Sequence, residues 1–201
     1  DITTMVLRTN TIDSLMVFTD QGKMYRLLVN DIPVGTNVSQ GQSVKSLIAM
    51  ETDENPAVIY SIYRDTDAKY VFFTTKNGTV KKTALEEYVN TKKKTGIAAI
   101  TLREGDSLAS VCLVKDEDMV LLTKNGMGIR FSSTDVGATS RATIGIKGMN
   151  FKADDEIVVM TSSINAMTSL SNVGKYVQII RWIYEPRNND VIHHQGVFLS
   201  S

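Results

Sequence analysis

A basic side chain recurs at one fixed place in three copies of a short phrase in this sequence. Each copy has a threonine, a glycine three residues later, and an arginine or lysine four residues after the glycine. The three bases are Arg26, Lys82 and Arg130. Side chains of this kind can hold anions such as phosphates through charge and N–H donation. If the copies form equivalent units packed side by side, their bases would lie along one surface.

Further bases accompany the phrase and the segment that follows it. The complete set of candidate phosphate-binding residues is Lys23, Arg26, Lys45, Lys81, Lys82, Lys92, Lys93, Lys94, Arg130, Arg141 and Lys147. Because neighbouring residues of a strand face opposite sides, Lys81 and Lys82 cannot both point the same way.

Acids gather in a later turn of each copy, at residues 51–54, 104–106 and 154–156. The formal net charge is zero, with 22 basic and 22 acidic residues, so only a separation of charge could attract a polyanion. The pattern predicts a basic rim and an acidic face. The alternative is that these charges are solvated and keep hairpin edges from aggregating.

Other chemistry has little support in the sequence. His193 and His194 are adjacent near the end, without metal-ligating partners at a useful spacing, and are expected to be solvated. The acidic turn at 154–156 lacks the glycine register of a calcium loop. Cys112 lies in an apolar run and is expected to be a buried, inert thiol. We expect no catalytic residue, no metal site and no cofactor in this domain.

The repeated phrase also predicts the elements that position these bases. An apolar run, a turn of the Asn-Gly kind and an alternating run are typical of a tight β-hairpin. The turn glycines Gly22, Gly78 and Gly126 lie about 50 residues apart, a period typical of propeller blades.

Each copy continues with a second glycine and further apolar runs. Gly41, Gly96 and Gly145 each follow the turn glycine by about 19 residues. Strand-like runs come next, at 43–50, 97–102 and 146–151, and after the acidic turns at 57–62, 108–114 and 157–160. The prediction is an all-β, propeller-like domain of four-stranded units, with one helical turn near 84–89.

The 201 residues, 42% of them hydrophobic, predict one domain or fragment over 1–201. The repeats cover roughly 13–64, 68–117 and 118–161. Residues 162–201 are expected to be a degenerate blade, a closing segment or foreign sequence. A closed ring would need more than three blades, so a fragment is expected. The sequence has no signal peptide and no apolar run long enough to cross a bilayer, and it contains a single cysteine. We therefore expect a cytoplasmic location and no membrane partner.

Two stretches carry a resemblance to a known family. The second copy reads Lys-Asn-Gly-Thr-Val-Lys-Lys-Thr at 76–83 and Ile-Ala-Ala-Ile-Thr-Leu-Arg-Glu-Gly-Asp at 97–106. The third reads similarly at 122–131 and 141–149. Over residues 1 to 160 the chain resembles the repeats in the C-terminal domain of the bacterial DNA gyrase A subunit, or of its topoisomerase IV counterpart.

That resemblance implies a β-pinwheel, a disc of four-stranded blades that exchange strands with their neighbours. It implies sequence-tolerant bending or wrapping of duplex DNA on a basic perimeter, in support of ATP-dependent negative supercoiling on the bacterial chromosome. The partners would be the B subunit, together with the remainder of the A subunit. The DNA-cleaving tyrosine and the sites for ATP and Mg²⁺ would lie outside this chain.

The chain departs from the gyrase pattern in two places, at one motif and beyond about residue 160, where the repeat fades. The glycine-rich box Gln-Arg-Arg-Gly-Gly-Lys-Gly has no match, and the nearest positions, 38–43, lack its bases. This absence is expected if the box precedes residue 1, or if the chain is the topoisomerase IV counterpart, which selects DNA crossings and decatenates. A protein-binding propeller module is a further alternative. An enzyme with an active site in a central channel would need converging carboxylates or histidines, which the repeats do not supply.

Overall fold

The computed structural model describes residues 7–36, 38–62, 66–91, 95–152 and 154–162, and most of their regular secondary structure is β-strand. The all-β prediction is confirmed. Residues 92–94 and 163–201 lie outside the described residues. The prediction for the end of the chain concerns the second of these ranges and stays a prediction. The strands are β1 Ser14–Thr19, β2 Lys23–Leu28, β3 Pro56–Ile62, β4 Tyr70–Thr75, β5 Thr79–Ala84, β6 Ile97–Ala98, β7 Leu108–Val114, β8 Asp118–Thr123, β9 Gly128–Ser132, β10 Ile146–Lys147 and β11 Ile157–Ser162. Short helices occur at α1 Val44–Leu47 and α2 Glu86–Val89, and 3₁₀ turns at Val29–Asp31 and Ser133–Asp135.

Three antiparallel hairpins, β1–β2, β4–β5 and β8–β9, form from the repeated phrase. The turn glycines have φ between 77° and 85°, which only glycine adopts readily. The threonine that opens each turn adds a second constraint, because its hydroxyl accepts a hydrogen bond from the backbone N–H four residues later. The three bonds run from Lys23 N, Thr79 N and Met127 N, at 3.1–3.2 Å.

Neighbouring repeats exchange strands, as the β-pinwheel prediction requires. The first sheet has the order β3-β1-β2-β6, and its last strand comes from the second repeat. The second sheet has the order β10-β5-β4-β7, and its first strand comes from the third repeat. The third sheet, β11-β8-β9, has three strands among the described residues.

The opposite edges of these sheets have different neighbours. β7 packs against both β3 and β11, so these three strands lie together on the inner side of the assembly. The exchanged strands β6 and β10 occupy the other, outer edge.

Aromatic side chains fill the space between the first two sheets. Phe18 and Phe73 meet edge to face with 5.5 Å between ring centroids, and Tyr88 packs against both. All three are completely buried, and burial stabilises the fold by about 1.5–3 kcal/mol for a side chain of this size. The packed interior keeps the blades in a fixed arrangement and so positions the outer edge.

One predicted strand is wrong. The run at 43–50 forms the helical turn α1, and Ala49 makes only an isolated bridge to Thr95. The corresponding runs of the later repeats pair with the preceding hairpin, and no earlier hairpin lies among the described residues. Ile48 instead packs with Leu15 and Val17 of the first sheet.

The helical turn predicted near 84–89 is confirmed as α2. No helix of the described residues is long and apolar enough to cross a membrane.

Candidate nucleic-acid interface

The outer edge is formed by two exchanged segments that lie against each other, residues 95–103 and 138–152, here named the outer seam. The backbone N–H of Thr101 donates to the carbonyl oxygen of Thr143 at 3.0 Å, which joins the two segments. The second segment runs close along β5. Gly145 has a φ of 96°, and a Cβ there would overlap the Val80 carbonyl oxygen, so this approach requires glycine.

Four bases of the outer seam reach solvent. Arg103, Lys147 and Lys152 are exposed, and Arg141 is half-buried. Arg103 and Lys152 occupy equivalent turns, because each carbonyl accepts a hydrogen bond from the N–H three residues later, at 3.1 Å. These two were missed by the sequence-based set, although Arg103 lies within the motif that carries the family resemblance.

Acids adjoin these bases, so the outer seam is basic only in part. The Arg141 Nε atom lies 3.5 Å from a Glu87 carboxylate oxygen, and both side chains are about one-third exposed. Such surface ion pairs contribute about 0–1 kcal/mol, so a phosphate could compete for the guanidinium. Glu104 and Asp154 are exposed near Arg103 and Lys152 in the chain.

Lys81 and Lys82 do not belong to the exposed set. They point to opposite sides of β5, as alternation requires, and are only 1% and 7% exposed. Neither ammonium can reach a phosphate lying on this surface, so the prediction of direct contact is wrong for both. Burial lowers the pKa of Lys81 to about 8 and also lowers the pKa of Lys82, with Asp135 acting in the opposite direction on the latter.

The base four residues after the turn glycine connects one repeat to the next in the first two repeats. Arg26 Nη1 donates to the carbonyl oxygen of Thr91 at 3.2 Å, just after α2. Lys82 Nζ donates to the carbonyl oxygen of Ser133 at 2.7 Å, in the equivalent connection of the third repeat. The expected basic belt of Arg26, Lys82 and Arg130 is therefore replaced by contacts between repeats at two of the three positions.

The other predicted bases have nearby acceptors. Lys23 forms an ion pair with Glu51 at 2.6 Å, and this hydrogen bond raises the lysine pKa. Lys45 donates to the Thr52 carbonyl oxygen at 3.0 Å. Arg130 remains half exposed and forms an ion pair with Asp118 at 2.7 Å. Lys92, Lys93 and Lys94 lie outside the described residues, and their role stays a prediction.

The acidic turns fold back onto the hairpin turns of the same repeat. Asp106 accepts a hydrogen bond from Asn77 N at 3.1 Å, and Asp155 accepts one from Asn125 N at 2.9 Å. Acids therefore lie beside the basic hairpins, and the predicted separation into a basic rim and an acidic face is wrong.

In the first repeat the corresponding acid is fully buried. Glu54 accepts hydrogen bonds from Tyr25 at 2.6 Å and from Thr19 at 2.9 Å. Burial alone would raise the pKa of Glu54, but these hydrogen bonds outweigh burial and hold the pKa below its usual value.

Within the described residues no three His, Cys, Asp or Glu side chains cluster in a way that could hold a metal ion. Cys112 is buried, as predicted. The outer seam therefore offers binding chemistry, through guanidinium, ammonium and hydroxyl groups that reach solvent along its two segments.

Known proteins resemble this chain along the same segments. The model of the family "DNA gyrase C-terminal domain, beta-propeller" matches residues 13–54, 69–114 and 117–162. The DNA gyrase A subunit of Mycobacterium bovis is 38% identical over 152 residues, which cover 74% of this chain and 18% of that protein. The DNA gyrase A subunit of Deinococcus deserti is 37% identical over 164 residues, covering 80% and 20%. The chain thus spans about a fifth of the length of these relatives.

Solved structures agree with the fold. The C-terminal domain of DNA topoisomerase IV superposes with a TM-score of 0.69 at 30% identity, over 77% of this chain and 48% of that one. The DNA gyrase A C-terminal domain superposes with a TM-score of 0.63 at 29% identity, over 77% and 49%. Because the family model follows all three repeats and matches more than half of the residues, the chain belongs to the family of DNA gyrase C-terminal domains with a β-propeller fold.

Proposed function

We propose that this domain binds duplex DNA along its outer seam without reading the base sequence, and bends or wraps the duplex as part of a gyrase A subunit. In this role it supports ATP-dependent negative supercoiling. The observation that carries the proposal is the meeting of two exchanged segments, with Arg103, Arg141, Lys147 and Lys152 reaching solvent along them.

The chemistry of the outer seam suits phosphates better than base edges. Arginine and lysine side chains attract phosphates whatever the sequence, whereas base recognition needs paired donors and acceptors set into a groove. The seam adds an exposed hydroxyl group at Thr101, which can also donate to phosphate oxygens.

Bending a duplex is costly, and several separated contacts suit that task. A bend of 40–90° over a short site costs about 1–6 kcal/mol by elastic estimates. Contacts that follow an outer edge from blade to blade offset this cost along the curve. One strong pocket would fix the duplex at a single point without bending it.

The salt dependence of duplex binding tests the proposal. The logarithm of the binding constant should fall linearly with the logarithm of salt concentration, with a slope of about −0.9 per phosphate neutralised. The combined substitution of Arg103, Arg141 and Lys147 by alanine should reduce both affinity and slope. Lys115→Ala is the matched control, because Lys115 is exposed in the turn between β7 and β8 and does not belong to the outer seam.

A salt-insensitive interaction would reject DNA wrapping and favour a protein-binding module. Equal slopes for the triple variant, the Lys115→Ala control and the unsubstituted chain would place the DNA elsewhere on the molecule.

A topoisomerase IV counterpart is the second candidate, supported by the structural similarity to that enzyme's C-terminal domain. A topology assay separates the two. Nicked circular DNA is resealed by a ligase in the presence of the domain, and the linking number of the product is measured. Wrapping with a fixed hand, as a gyrase role requires, would shift the linking number, whereas presentation of crossings without wrapping would leave it unchanged.

In the whole enzyme the domain itself would cleave no DNA and take no cofactor. DNA cleavage, ATP hydrolysis and Mg²⁺ binding would belong to the B subunit or to the remainder of the A subunit. The protein would work in the bacterial cytoplasm on the chromosome.

A further inference from the structure

The buried ammonium group of Lys81 lies beneath the outer seam and contacts both of its segments. Lys81 Nζ donates to the carbonyl oxygens of Ala99 and Arg141, at 2.6 Å in each case. One carbonyl belongs to the segment of the second repeat and the other to the segment of the third. The side chain is 1% exposed, and its Nζ lies 5.3 Å from the centroid of the Phe73 ring.

The fold does not require a charge at this place. The residue three positions after the turn glycine is Lys81 in the second repeat, Tyr25 in the first and Ile129 in the third. Tyr25 donates to the buried Glu54, and Ile129 carries no polar group. Hairpins of the same shape thus form without a cation, so the charge of Lys81 is a feature of this blade alone among the three.

Two charged groups act on the Lys81 ammonium from the elements packed around it, Glu87 on α2 and Arg141 on the segment from the third repeat. The Tyr88 hydroxyl, also on α2, donates to the same Ala99 carbonyl oxygen at 2.9 Å. Burial lowers the pKa of Lys81 to about 8, the Glu87 carboxylate acts to raise it, and the Arg141 guanidinium acts to lower it. The segment containing Ala99 contributes a carbonyl and no titratable side chain at this contact.

We propose that Lys81 is a positioning residue of the outer seam, whose protonated form strengthens duplex binding and makes DNA affinity decrease at mildly alkaline pH. This inference rests on the proposed function, because it assumes that phosphates lie on the seam above the ammonium group.

The sign of the pH dependence follows from linkage. Phosphates near the seam favour the ammonium form, so bound DNA raises the pKa of Lys81 and binding takes up protons when the pH is near or above 8. Affinity is therefore greatest below pH 8 and decreases as the pH rises through that value. A neutral amine still carries two N–H donors, so both carbonyl contacts weaken but persist.

Fold stability should change in the opposite direction. The pKa of Lys81 is lower in the folded chain than its ordinary value of 10.5, so the unfolded chain binds more protons between these values. On this account the free energy of unfolding rises with pH from about 8 to about 10.5. If DNA affinity falls over this pH range while the free energy of unfolding stays the same or rises, the loss of affinity comes from loss of the Lys81 charge. Unfolding of the seam would lower both.

Three variants of the full chain test the inference, with a short duplex as ligand and binding followed by fluorescence anisotropy from about pH 7 to about pH 9.5. Lys81→Met keeps an unbranched apolar stem and removes the charge. It should bind about fivefold to tenfold more weakly at the lower pH and lose the alkaline decrease. Lys81→Arg keeps a charge that does not titrate in this range, and should retain affinity without the decrease. Lys115→Met, at an exposed position outside the seam, should match the unsubstituted chain.

A direct measurement keeps the test valid if either Lys81 variant fails to fold. In the unsubstituted chain labelled with ¹³C at the lysine side chains, one Cε resonance should titrate near pH 8 and shift its midpoint upward when duplex is added. A duplex affinity with the same pH profile in Lys81→Met, or a labelled chain with no such resonance, overturns the role of Lys81 while duplex binding stands. Absence of salt-dependent duplex binding by the unsubstituted chain would instead overturn the proposed function.

Discussion

Arg26 of the first repeat donates a hydrogen bond to the carbonyl oxygen of Thr91 in the second, over 3.2 Å. The same guanidinium donates to the Ser14 hydroxyl at 2.9–3.0 Å, which holds it at the edge of its own blade. A base that the repeated phrase suggested for DNA thus connects two blades.

Arg26→Ala should destabilise the fold by about 1.5–3 kcal/mol, because hydrogen bonds from a charged donor are lost and carbonyl oxygens at the blade junction lose their partner. Arg130→Ala is the matched control, since Arg130 holds the equivalent position in the third repeat and forms a half-exposed ion pair with Asp118. The control should change stability by about 0–1 kcal/mol. Urea unfolding measures both, and equal losses in the two variants would contradict a special role for Arg26.

The same comparison shows how far the sequence could predict this molecule. Thr19 and Gly22 fix a local turn by their own chemistry, so the hairpins were predictable from a few adjacent residues. The guanidinium of Arg26, in contrast, donates to a carbonyl oxygen 65 residues further along the chain, and no local sequence pattern predicts that contact. Burial of Lys81 depends likewise on strand exchange from the next repeat.

The acidic turns were likewise predictable in position but not in their contacts. Asp106, for example, accepts a hydrogen bond from the backbone N–H of Asn77, which lies in the hairpin turn across the blade. Arg103 was missed for a related reason. It follows no turn glycine, and its place on the outer seam depends on contacts between residues far apart in sequence, such as the hydrogen bond between Thr101 and Thr143.

Glu54→Gln should reduce stability at neutral pH and make it less sensitive to acid. The pKa of Glu54 lies below its ordinary value of 4.5, so the folded chain binds fewer protons than the unfolded chain between these values. Its stabilising effect is therefore fully present above about pH 4.5 and is lost as the pH falls through the folded pKa. Thermal unfolding from about pH 7 to about pH 3 measures this. A variant with the same acid dependence as the unsubstituted chain would assign that dependence to other carboxylates.

Gly145→Ala should disturb the outer seam. The φ of 96° and the overlap of a Cβ with the Val80 carbonyl oxygen force a backbone shift, at a cost of about 1–3 kcal/mol. Gly137→Ala is the matched control, because that glycine lies eight residues earlier with open space around its Cβ position. Hydrogen exchange should increase at Thr101 and Ile146 in the first variant alone. Equal exchange in both variants would show that the close approach to β5 is dispensable.

Arg103→Ala tests a position that the repeated phrase did not indicate. If this guanidinium contacts one phosphate, the variant should bind duplex more weakly and its salt slope should be smaller in magnitude by about 0.9. Lys152→Ala, at the equivalent turn of the next repeat, should have the same effect on slope. The double variant should lose about twice as much, because the two sites lie in different blades. Lys45→Ala is the control, since Lys45 lies on α1 and donates to the Thr52 carbonyl oxygen. A slope unchanged by Arg103→Ala but reduced by Lys45→Ala would move the DNA from the outer seam to the first blade.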